Sequence, residues 1–281
     1  MLKSDYNDML SKDILTEERI NTCPKEKQMN TFFRKSPAMN VEKVYQEVKS
    51  VLEQESKCFT ALDNFNITKK FAEALLKFCE KPNEARSLTE NADHGKRMEY
   101  YEKYLVDVSK LLTNIEYFSA LSFPEKFALY KRFWQKFQIL EKCFVTFLYF
   151  GNNQDDMRYI VGQDNFIDIN SKQYELQQTQ TETAVFLFPM FDKTKLLLRH
   201  IKKTGITIFE FSYICQLLLW SCAEIEEITP QTCKLADEML QKASDELHDY
   251  YVNEIHMLNY AARQAELIKH VRLTEVMDFS F

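Results

Sequence analysis

The segment from Leu105 to Phe150 constrains the fold more than any other part of the chain. It contains two stretches in which apolar residues recur every three or four positions, the spacing of one helix face and not of a strand. The first stretch uses Leu105, Val108, Leu111, Leu112, Ile115 and Phe118, and the second uses Phe127, Tyr130, Phe133, Trp134, Phe137, Leu140, Phe144, Phe147 and Leu148. The second stripe is wide and aromatic, which indicates a helix sandwiched between neighbours in the middle layer of an all-helical domain.

The residues between these two helices favour a sharp turn. Ser122 is a suitable N-cap for the second helix, and Pro124 fits its first turn because the missing N–H costs nothing there. Glu125 lies three residues after Ser122 and completes a predicted capping box. The two helices are therefore expected to turn sharply against each other.

Composition excludes several function classes. The chain has only four glycines in 281 residues and neither a GxxxxGK[ST] nor a GxGxxG motif, which argues against a phosphate-binding loop. Its formal net charge of −6 argues against nucleic-acid binding, since phosphate affinity comes mainly from clustered Lys and Arg. No signal-peptide core or membrane-length apolar run is present, so we expect a soluble intracellular protein that does not enter a membrane.

The residue types that bind metals or catalyse reactions form no constellation. None of the seven cysteines forms a C-x-x-C pair, so no zinc finger is expected. A di-iron helical bundle needs two E-x-x-H units, and only Asp245 with His248 comes near one. Because no nucleophile–base arrangement can be identified either, we predict no metal, no cofactor and no enzyme activity.

Along the chain, periodic segments alternate with short breaks. Residues 1–40 have no sustained period and are predicted to be a mobile leader, and residues 81–96 are predicted to be an exposed loop. The segment Met157–Ile169 is the one hairpin that the sequence suggests. Besides the helix that begins at Ser122, we predict helices at 41–59, 65–78, 97–121, 185–201, 207–222, 230–250 and 255–271.

The segment Phe118–Lys131 resembles the signature of the nuclear receptor ligand-binding domain, F-x-x-L-x-x-x-D-Q-x-x-L-L-K. The spacing of Phe118, Leu121, Leu129 and Lys131 is kept, whereas Glu125, Lys126 and Tyr130 replace the Asp, the Gln and a Leu. Later motifs are similar to those of divergent nematode receptors, namely Trp220, the E-L-x-x-Y-Y run at 246–251 and the Y-A-x-R run at 260–263. The resemblance covers residues 41–281.

The resemblance implies a three-layer antiparallel helical sandwich with one small β-hairpin. It places an apolar ligand pocket at Leu105, Val108, Leu112, Trp134, Phe137 and Ile160. It places a coregulator groove at Thr113, Phe118, Leu121, Lys126, Leu129 and Lys131. It also pairs Glu210 with Arg263 as a structural ion pair. For the pocket residues the alternative is a packed core, because so many aromatic side chains can fill a cavity.

Departures from the family pattern qualify these expectations. The upstream two-zinc DNA-binding domain of the family is absent from this sequence, so direct DNA binding is not expected. Thr113 occupies the position of the family's clamp lysine. The segment Leu273–Met277 superficially resembles the family's activation helix, but no loop signal separates it from Val271, and we interpret it as the end of the last helix.

Two functions follow as hypotheses. The first is a nuclear-receptor-like regulator of transcription in the nucleus, and also in the cytoplasm. It would act through an apolar ligand such as a fatty acid or sterol, through coregulators, or by dimerising with another nuclear receptor through Leu247–Val271. The alternative is a helical interaction scaffold whose pocket is collapsed and which binds no ligand.

Overall fold

The computed structural model describes residues 40–54, 66–79, 87–88, 94–162, 165–170, 184–222 and 225–275. The predicted leader lies outside these residues except for Asn40, which is the N-cap of the first helix. The helices are α1 Val41–Leu52, α2 Ile67–Cys79, α3 His94–Leu112, α4 Glu116–Ser119, α5 Phe123–Phe150, α6 Ala184–Thr204, α7 Ile208–Trp220, α8 Pro230–Asp249 and α9 Ala261–Glu275, and a π-helical turn at Tyr250–Glu254 extends α8.

Helix α5 forms the middle of the fold, as its wide apolar stripe predicts. It contacts α1 and α3, which pack together, and also α6 and α9, which form a second packed pair. Helix α7 also lies in the middle and contacts α2, α5, α8 and α9. The core of α5 is aromatic, with Phe133, Phe137 and Phe144 fully buried. The predicted three-layer antiparallel helical sandwich is confirmed.

The predicted hairpin is confirmed, and it belongs to a slightly larger sheet. Strands β2 Arg158–Ile160 and β3 Asn165–Asp168 pair antiparallel, with Tyr159 opposite Ile167. The Ile160 N–H donates a 3.0 Å hydrogen bond to the Thr146 hydroxyl, which ties this sheet to α5. A third strand, β1 Ser87–Leu88, pairs parallel to β3. The prediction of a loop over 81–96 was therefore wrong in part, since it contains β1 and the start of α3.

The first of the two central helices is shorter than predicted. Helix α3 ends at Leu112, and the predicted continuation to Leu121 is broken into a turn and the short helix α4. The Asn114 side chain donates to the carbonyls of Lys110 and Leu111, and the Thr113 hydroxyl donates to the carbonyl of Lys110. These side chains satisfy carbonyls that a continuing helix would use, which explains the stop.

The predicted capping box at Ser122 was wrong. Ser122 is the N-cap of α5, but its side chain makes no capping hydrogen bond and instead donates to Glu125 at 2.7 Å. The other carboxylate oxygen of Glu125 accepts from the hydroxyls of Thr229 and Thr232, both at 2.7 Å. Glu125 therefore joins the start of α5 to the start of α8.

A second carboxylate joins distant helices in the same way. Glu246 of α8 accepts 2.7 Å hydrogen bonds from the main-chain N–H groups of Ile67 and Thr68, at the first turn of α2. A helix N-terminus has unpaired N–H groups and a positive dipole end, so a carboxylate from another helix is a suitable partner.

The C-terminal helices differ from prediction at one boundary. The last helix begins at Ala261 and not at Ile255, because the π-helical turn ends at Glu254 and the following residues are not helical. Leu273, Thr274 and Glu275 continue the same helix as Val271, as predicted. The remaining part of that prediction, residues 276–277, lies outside the described chain.

Helix α6 begins at Ala184, upstream of Pro189, and ends before Gly205.

Candidate functional site

Four of the six predicted pocket residues are fully buried, on α5 and on α3 and β2, which both pack against α5. Val108 and Leu112 lie one turn apart on α3, Phe137 lies on α5 and Ile160 lies on β2. Leu105 and Trp134 are only partly buried and pack against the same core. The structure therefore places all six in or against one hydrophobic cluster.

Aromatic rings surround this region. Phe137 stacks on Phe133 with ring centroids 4.9 Å apart, and Phe78 of α2 packs against Phe137 at 5.5 Å. Phe144 stacks on Phe211 of α7 at 4.1 Å. Aromatic ring contacts of this kind contribute stability beyond the area they bury. The interior is therefore well packed on the α5 and α7 side.

A carboxylate lies within this aromatic interior. Glu141 of α5 is fully buried, and its Oε2 atom accepts from the Tyr104 hydroxyl at 3.4 Å and lies 3.4 Å from the Lys142 ammonium. Its Oε1 atom is buried and has no hydrogen-bond partner among the described residues. A buried oxygen without a partner is costly and rare in folded proteins.

The Lys142 ammonium compensates part of the charge of Glu141. It lies over the rings of Tyr100 and Tyr104, 4.8 and 5.4 Å from their centroids, and donates to the Tyr100 hydroxyl. Burial raises the pKa of Tyr104 well above its usual value, and the nearby Glu141 carboxylate raises this pKa further. Tyr104 therefore remains a hydrogen-bond donor at any physiological pH.

Sequence reasoning missed this polar group. The pair Glu141–Lys142 interrupts the apolar run of α5 between Leu140 and Cys143, on the segment predicted to be buried on more than one side. Two adjacent charged residues in such a run were the available signal. Both side chains are at least nine-tenths buried.

The structure does not bring the six predicted groove residues together on one open surface. Phe118 and Leu129 are almost fully buried and belong to the core, while Leu121 is partly buried. The Thr113 hydroxyl is used by its own helix. The exposed Lys131 lies 3.4 Å from the Glu227 carboxylate.

Lys126 has a different role from that of an exposed groove residue. Its side chain is buried, and its ammonium donates a 3.0 Å hydrogen bond to the main-chain carbonyl of Leu52, the last residue of α1. Burial lowers the pKa of this ammonium. Lys126, which the resemblance assigns to the coregulator groove, therefore contacts the end of α1.

The expected pair of Glu210 and Arg263 is present. Two parallel hydrogen bonds of 2.6 and 2.7 Å join the guanidinium of Arg263 to both carboxylate oxygens of Glu210. Tyr251 donates to Glu210 at 2.8 Å, and Glu210 also completes a capping box with Thr207 at the start of α7. Burial alone would raise the pKa of Glu210, but the hydrogen bonds from Arg263, Thr207 and Tyr251 lower it.

The described residues form neither a metal site nor a membrane span. No three His, Cys, Asp or Glu side chains of those residues are arranged to hold a metal ion. None of the described helices is both long and apolar enough to span a membrane.

The comparisons with known proteins agree with this architecture. The family described as the ligand-binding domain of nuclear hormone receptor matches residues 82–278, which include every element from β1 to α9. The chain belongs to the nuclear hormone receptor ligand-binding domain family. The match begins after α1 and α2, so these two helices precede the segment that the family defines.

Several curated relatives are nuclear hormone receptors of Caenorhabditis elegans. Family member nhr-127 is 25% identical over 171 residues, which cover 57% of this chain and 46% of that protein. Family member nhr-134 is 22% identical over 204 residues, which cover 69% of this chain and 49% of that protein. Family member nhr-90 is 21% identical over 245 residues, which cover 83% of this chain and 61% of that protein. The chain spans about half the length of these relatives.

Proposed function

We propose that this ligand-binding domain regulates transcription by binding an apolar small molecule between α3, α5 and β2. Glu141 is the observation that carries the proposal. Its fully buried carboxylate has one oxygen without a hydrogen-bond partner among the described residues, and it lies one helical turn from Phe137. A ligand that donates one hydrogen bond would remove the cost of that unpaired oxygen.

The charge of the site selects between ligand classes. A sterol-like hydroxyl or an amine can donate to Glu141, whereas the carboxylate of a fatty acid offers no donor and adds a like charge. We therefore propose a sterol-like alcohol or a lipophilic amine in preference to a fatty acid. The apolar body would lie against Val108, Leu112 and Ile160, which are fully buried.

The remaining parts of the proposal follow from the family and from charge. Domains of this family bind ligands, coregulators or other receptors, and we propose a regulatory, non-enzymatic role in the nucleus without a cofactor. The net charge of −6 supports the proposal that this chain does not contact DNA directly.

We also propose dimerisation with another receptor or a second copy through Leu247–Val271. The segment between the π-helical turn and α9 exposes Leu258 with 80% of its area accessible, together with Ile255 and Met257. Ile268 on α9 is exposed as well. Clustered exposed apolar side chains of this kind are typical of protein interfaces.

A thermal-shift experiment tests the ligand proposal. Sterols, long-chain amines and fatty acids are added separately to the wild-type chain, to Glu141→Gln and to the control Glu238→Gln, which changes an exposed carboxylate on α8. We expect a sterol or an amine to raise the melting temperature of the wild type and the control, and to have a smaller effect on Glu141→Gln. If no class stabilises the wild type, the ligand proposal fails.

The close stacking of Phe144 on Phe211, together with the fully buried Phe133 and Phe137, favours a second candidate function. An interior filled by its own rings would leave a scaffold that binds proteins and no ligand. In that case Glu141→Gln changes stability without changing the response to any apolar compound.

A further inference from the structure

Two thiols meet where helix α7 ends and helix α8 begins. Cys222 follows shortly after Trp220, the last residue of α7, and Cys233 lies in the first turn of α8. Their side chains are in hydrogen-bond contact, and both are free thiols. Two thiols in contact are the starting point for a disulfide, since each supplies one sulfur and the bond needs an S–S distance of about 2.0 Å.

Main-chain hydrogen bonds fix the positions of both cysteines. The Ile225 N–H donates to the Cys222 carbonyl at 3.0 Å, and the Cys233 N–H donates to the Thr229 carbonyl at 3.0 Å. Thr229 is the N-cap of α8, so Cys233 belongs to a capped helix start. Helices α7 and α8 also pack against each other. The fold therefore sets the contact between the two thiols from both sides of the junction.

The two thiols differ in exposure and in acidity. Cys222 is 3% exposed, whereas Cys233 is partly exposed and is the one cysteine of the described residues that is not buried. Burial, together with the neighbouring Cys233 thiol, raises the pKa of Cys222 to about 11. The thiolate is the form that reacts with an oxidant. Cys222 is therefore a poor first nucleophile at pH 7, and Cys233 is the sulfur that a dissolved oxidant reaches first.

We propose that Cys222 and Cys233 form a reversible redox site, at which a peroxide converts the two thiols into a disulfide that joins α7 to α8. In the first step the Cys233 thiolate attacks a peroxide oxygen and the O–O bond breaks. The hydroxide released from hydrogen peroxide takes up the proton that Cys233 has lost, and Cys233 becomes a sulfenic acid.

The second step forms the disulfide. The Cys222 sulfur attacks the Cys233 sulfur, the S–O bond breaks, and the departing hydroxide leaves as water with the proton of the Cys222 thiol. The two sulfurs together lose two electrons, which the peroxide gains. Two molecules of a small thiol such as glutathione restore the thiols by exchange and are themselves oxidised to a disulfide. In a reducing compartment such a pair is oxidised only transiently.

The disulfide would form beside the contacts that join α5 to α8. The hydroxyls of Thr229 and Thr232, just before Cys233, both donate to the Glu125 carboxylate. Oxidation would therefore fix the start of α8 to α7 at the place where α5 is also attached. The inference goes beyond the proposed function, since it requires neither an apolar ligand nor a dimer.

Peptide mapping of the full chain tests this site. The folded protein is treated with hydrogen peroxide, the remaining thiols are blocked with N-ethylmaleimide, and the chain is digested with a Glu-specific protease. Cleavage separates peptide 211–224, which contains Cys215 and Cys222, from peptide 228–238, which contains Cys233. We expect the two peptides to be linked, with a combined mass lower by two hydrogen atoms, and to separate after reduction with dithiothreitol.

Cys215→Ala is the matched control, because Cys215 lies in the same peptide as Cys222 but is fully buried within α7. This variant should keep the link, whereas Cys222→Ser and Cys233→Ser should each lose it. Because Cys233 is partly exposed, Cys233→Ser provides this test even if Cys222→Ser does not fold. A folded wild type without the link overturns the proposal, as does a link that persists in Cys222→Ser. A link that forms equally fast in urea-unfolded protein also overturns it.

Trapping with dimedone, which reacts with sulfenic acids, tests the order of the two steps. Cys222→Ser should accumulate a sulfenic acid at Cys233 and be labelled there. Cys233→Ser should be labelled at Cys222 about tenfold more slowly, because that thiol is buried and protonated. Equal labelling rates in the two variants would overturn the assignment of Cys233 as the first nucleophile. Neither measurement involves an apolar ligand, so failure of the ligand proposal would leave these results unchanged.

Discussion

The carboxylate of Glu125 accepts hydrogen bonds from both the main-chain N–H and the hydroxyl of Thr229, 104 residues later in the chain. Thr229 is the N-cap of α8, so a residue in the first turn of α5 completes the cap of another helix. Burial alone would raise the pKa of Glu125, but the hydrogen bonds from Thr232, Ser122 and Thr229 lower it to about 2.

Replacing Glu125 with Gln should therefore destabilise the fold by about 2 kcal/mol at pH 7, the usual size for hydrogen bonds to a charged group. A carboxyl group whose pKa is lowered by folding stabilises the protein above its unfolded pKa and loses that contribution as the pH falls. The difference between the wild type and Glu125→Gln should shrink between about pH 5 and pH 2. Urea unfolding at several pH values measures this, with exposed Glu226→Gln as the control. A difference that does not change with pH would contradict it.

Breaking the pair of Glu210 and Arg263 should be more costly. Arg263→Leu leaves the Glu210 carboxylate buried without its bidentate partner, which costs about 3–5 kcal/mol. The double variant Glu210→Leu/Arg263→Leu should be less damaging than the sum of the two single variants, because no buried charge remains. Chemical denaturation measures all three, and Arg272→Leu on the exposed side of α9 should have little effect.

Two stacked histidines, one on α6 and one on α9, should make the free energy of unfolding depend on pH. The rings of His200 and His270 are 4.4 Å apart, and burial followed by the charge of His200 lowers the pKa of His270 to about 4. The unfolded chain binds the proton first as the pH falls, so stability should decrease from about pH 6.5 to pH 4, by about 3 kcal/mol. His270→Gln should flatten this slope, whereas the exposed His256→Asn should retain it. An unchanged slope in His270→Gln would assign the effect to other groups.

Filling the proposed pocket should abolish ligand uptake. Val108 is fully buried, so Val108→Trp adds a large ring to the interior beside α5. Overpacking should lower the free energy of unfolding by about 1–3 kcal/mol under either function. Only if the pocket binds a ligand should the substitution also abolish uptake of an apolar compound. Equilibrium dialysis with a labelled sterol compares Val108→Trp with the exposed control Val41→Trp. Equal uptake by both variants would place the ligand elsewhere.

A charge in the exposed segment before α9 should prevent dimerisation. Leu258→Asp places a carboxylate on the side chain that is 80% exposed, and a buried unpaired charge at an interface is strongly unfavourable. Sedimentation velocity should show a dimer for the wild type and a monomer for Leu258→Asp. The control is Leu148→Asp at the end of α5, where Leu148 is 53% exposed. A wild type that is monomeric at all concentrations would contradict the proposed interface.

The sequence patterns predicted the helices and their layers well where local signals decide the structure. The aromatic stripe of α5 placed that helix in the middle, and Thr229 with Pro230 marked the start of α8. The end of α3 was harder to predict, because a side chain there competes with the main chain for hydrogen bonds. The Asn114 side chain donates to carbonyls that a longer helix would use. The apolar spacing continues past that point and carries no information about the break.

Contacts between distant segments explain the other differences. Ser122 and Glu125 have the spacing of a capping box, but Thr229 and Thr232 compete for the same carboxylate from another helix. Lys126 matched a groove position by resemblance, yet it caps α1, a helix 74 residues earlier. Glu141 is a charged residue on a helix, a residue type that is usually exposed, and its burial depends on the segments that pack against α5.

Native mass spectrometry of the purified chain, followed by denaturing extraction of any bound molecule, shows whether the interior holds a ligand. We expect one apolar molecule per chain that carries a hydroxyl or amine, and its loss in Val108→Trp. A chain that is empty as purified and stays empty after incubation with a mixture of sterols, lipophilic amines and fatty acids would contradict the ligand-binding function and favour the scaffold.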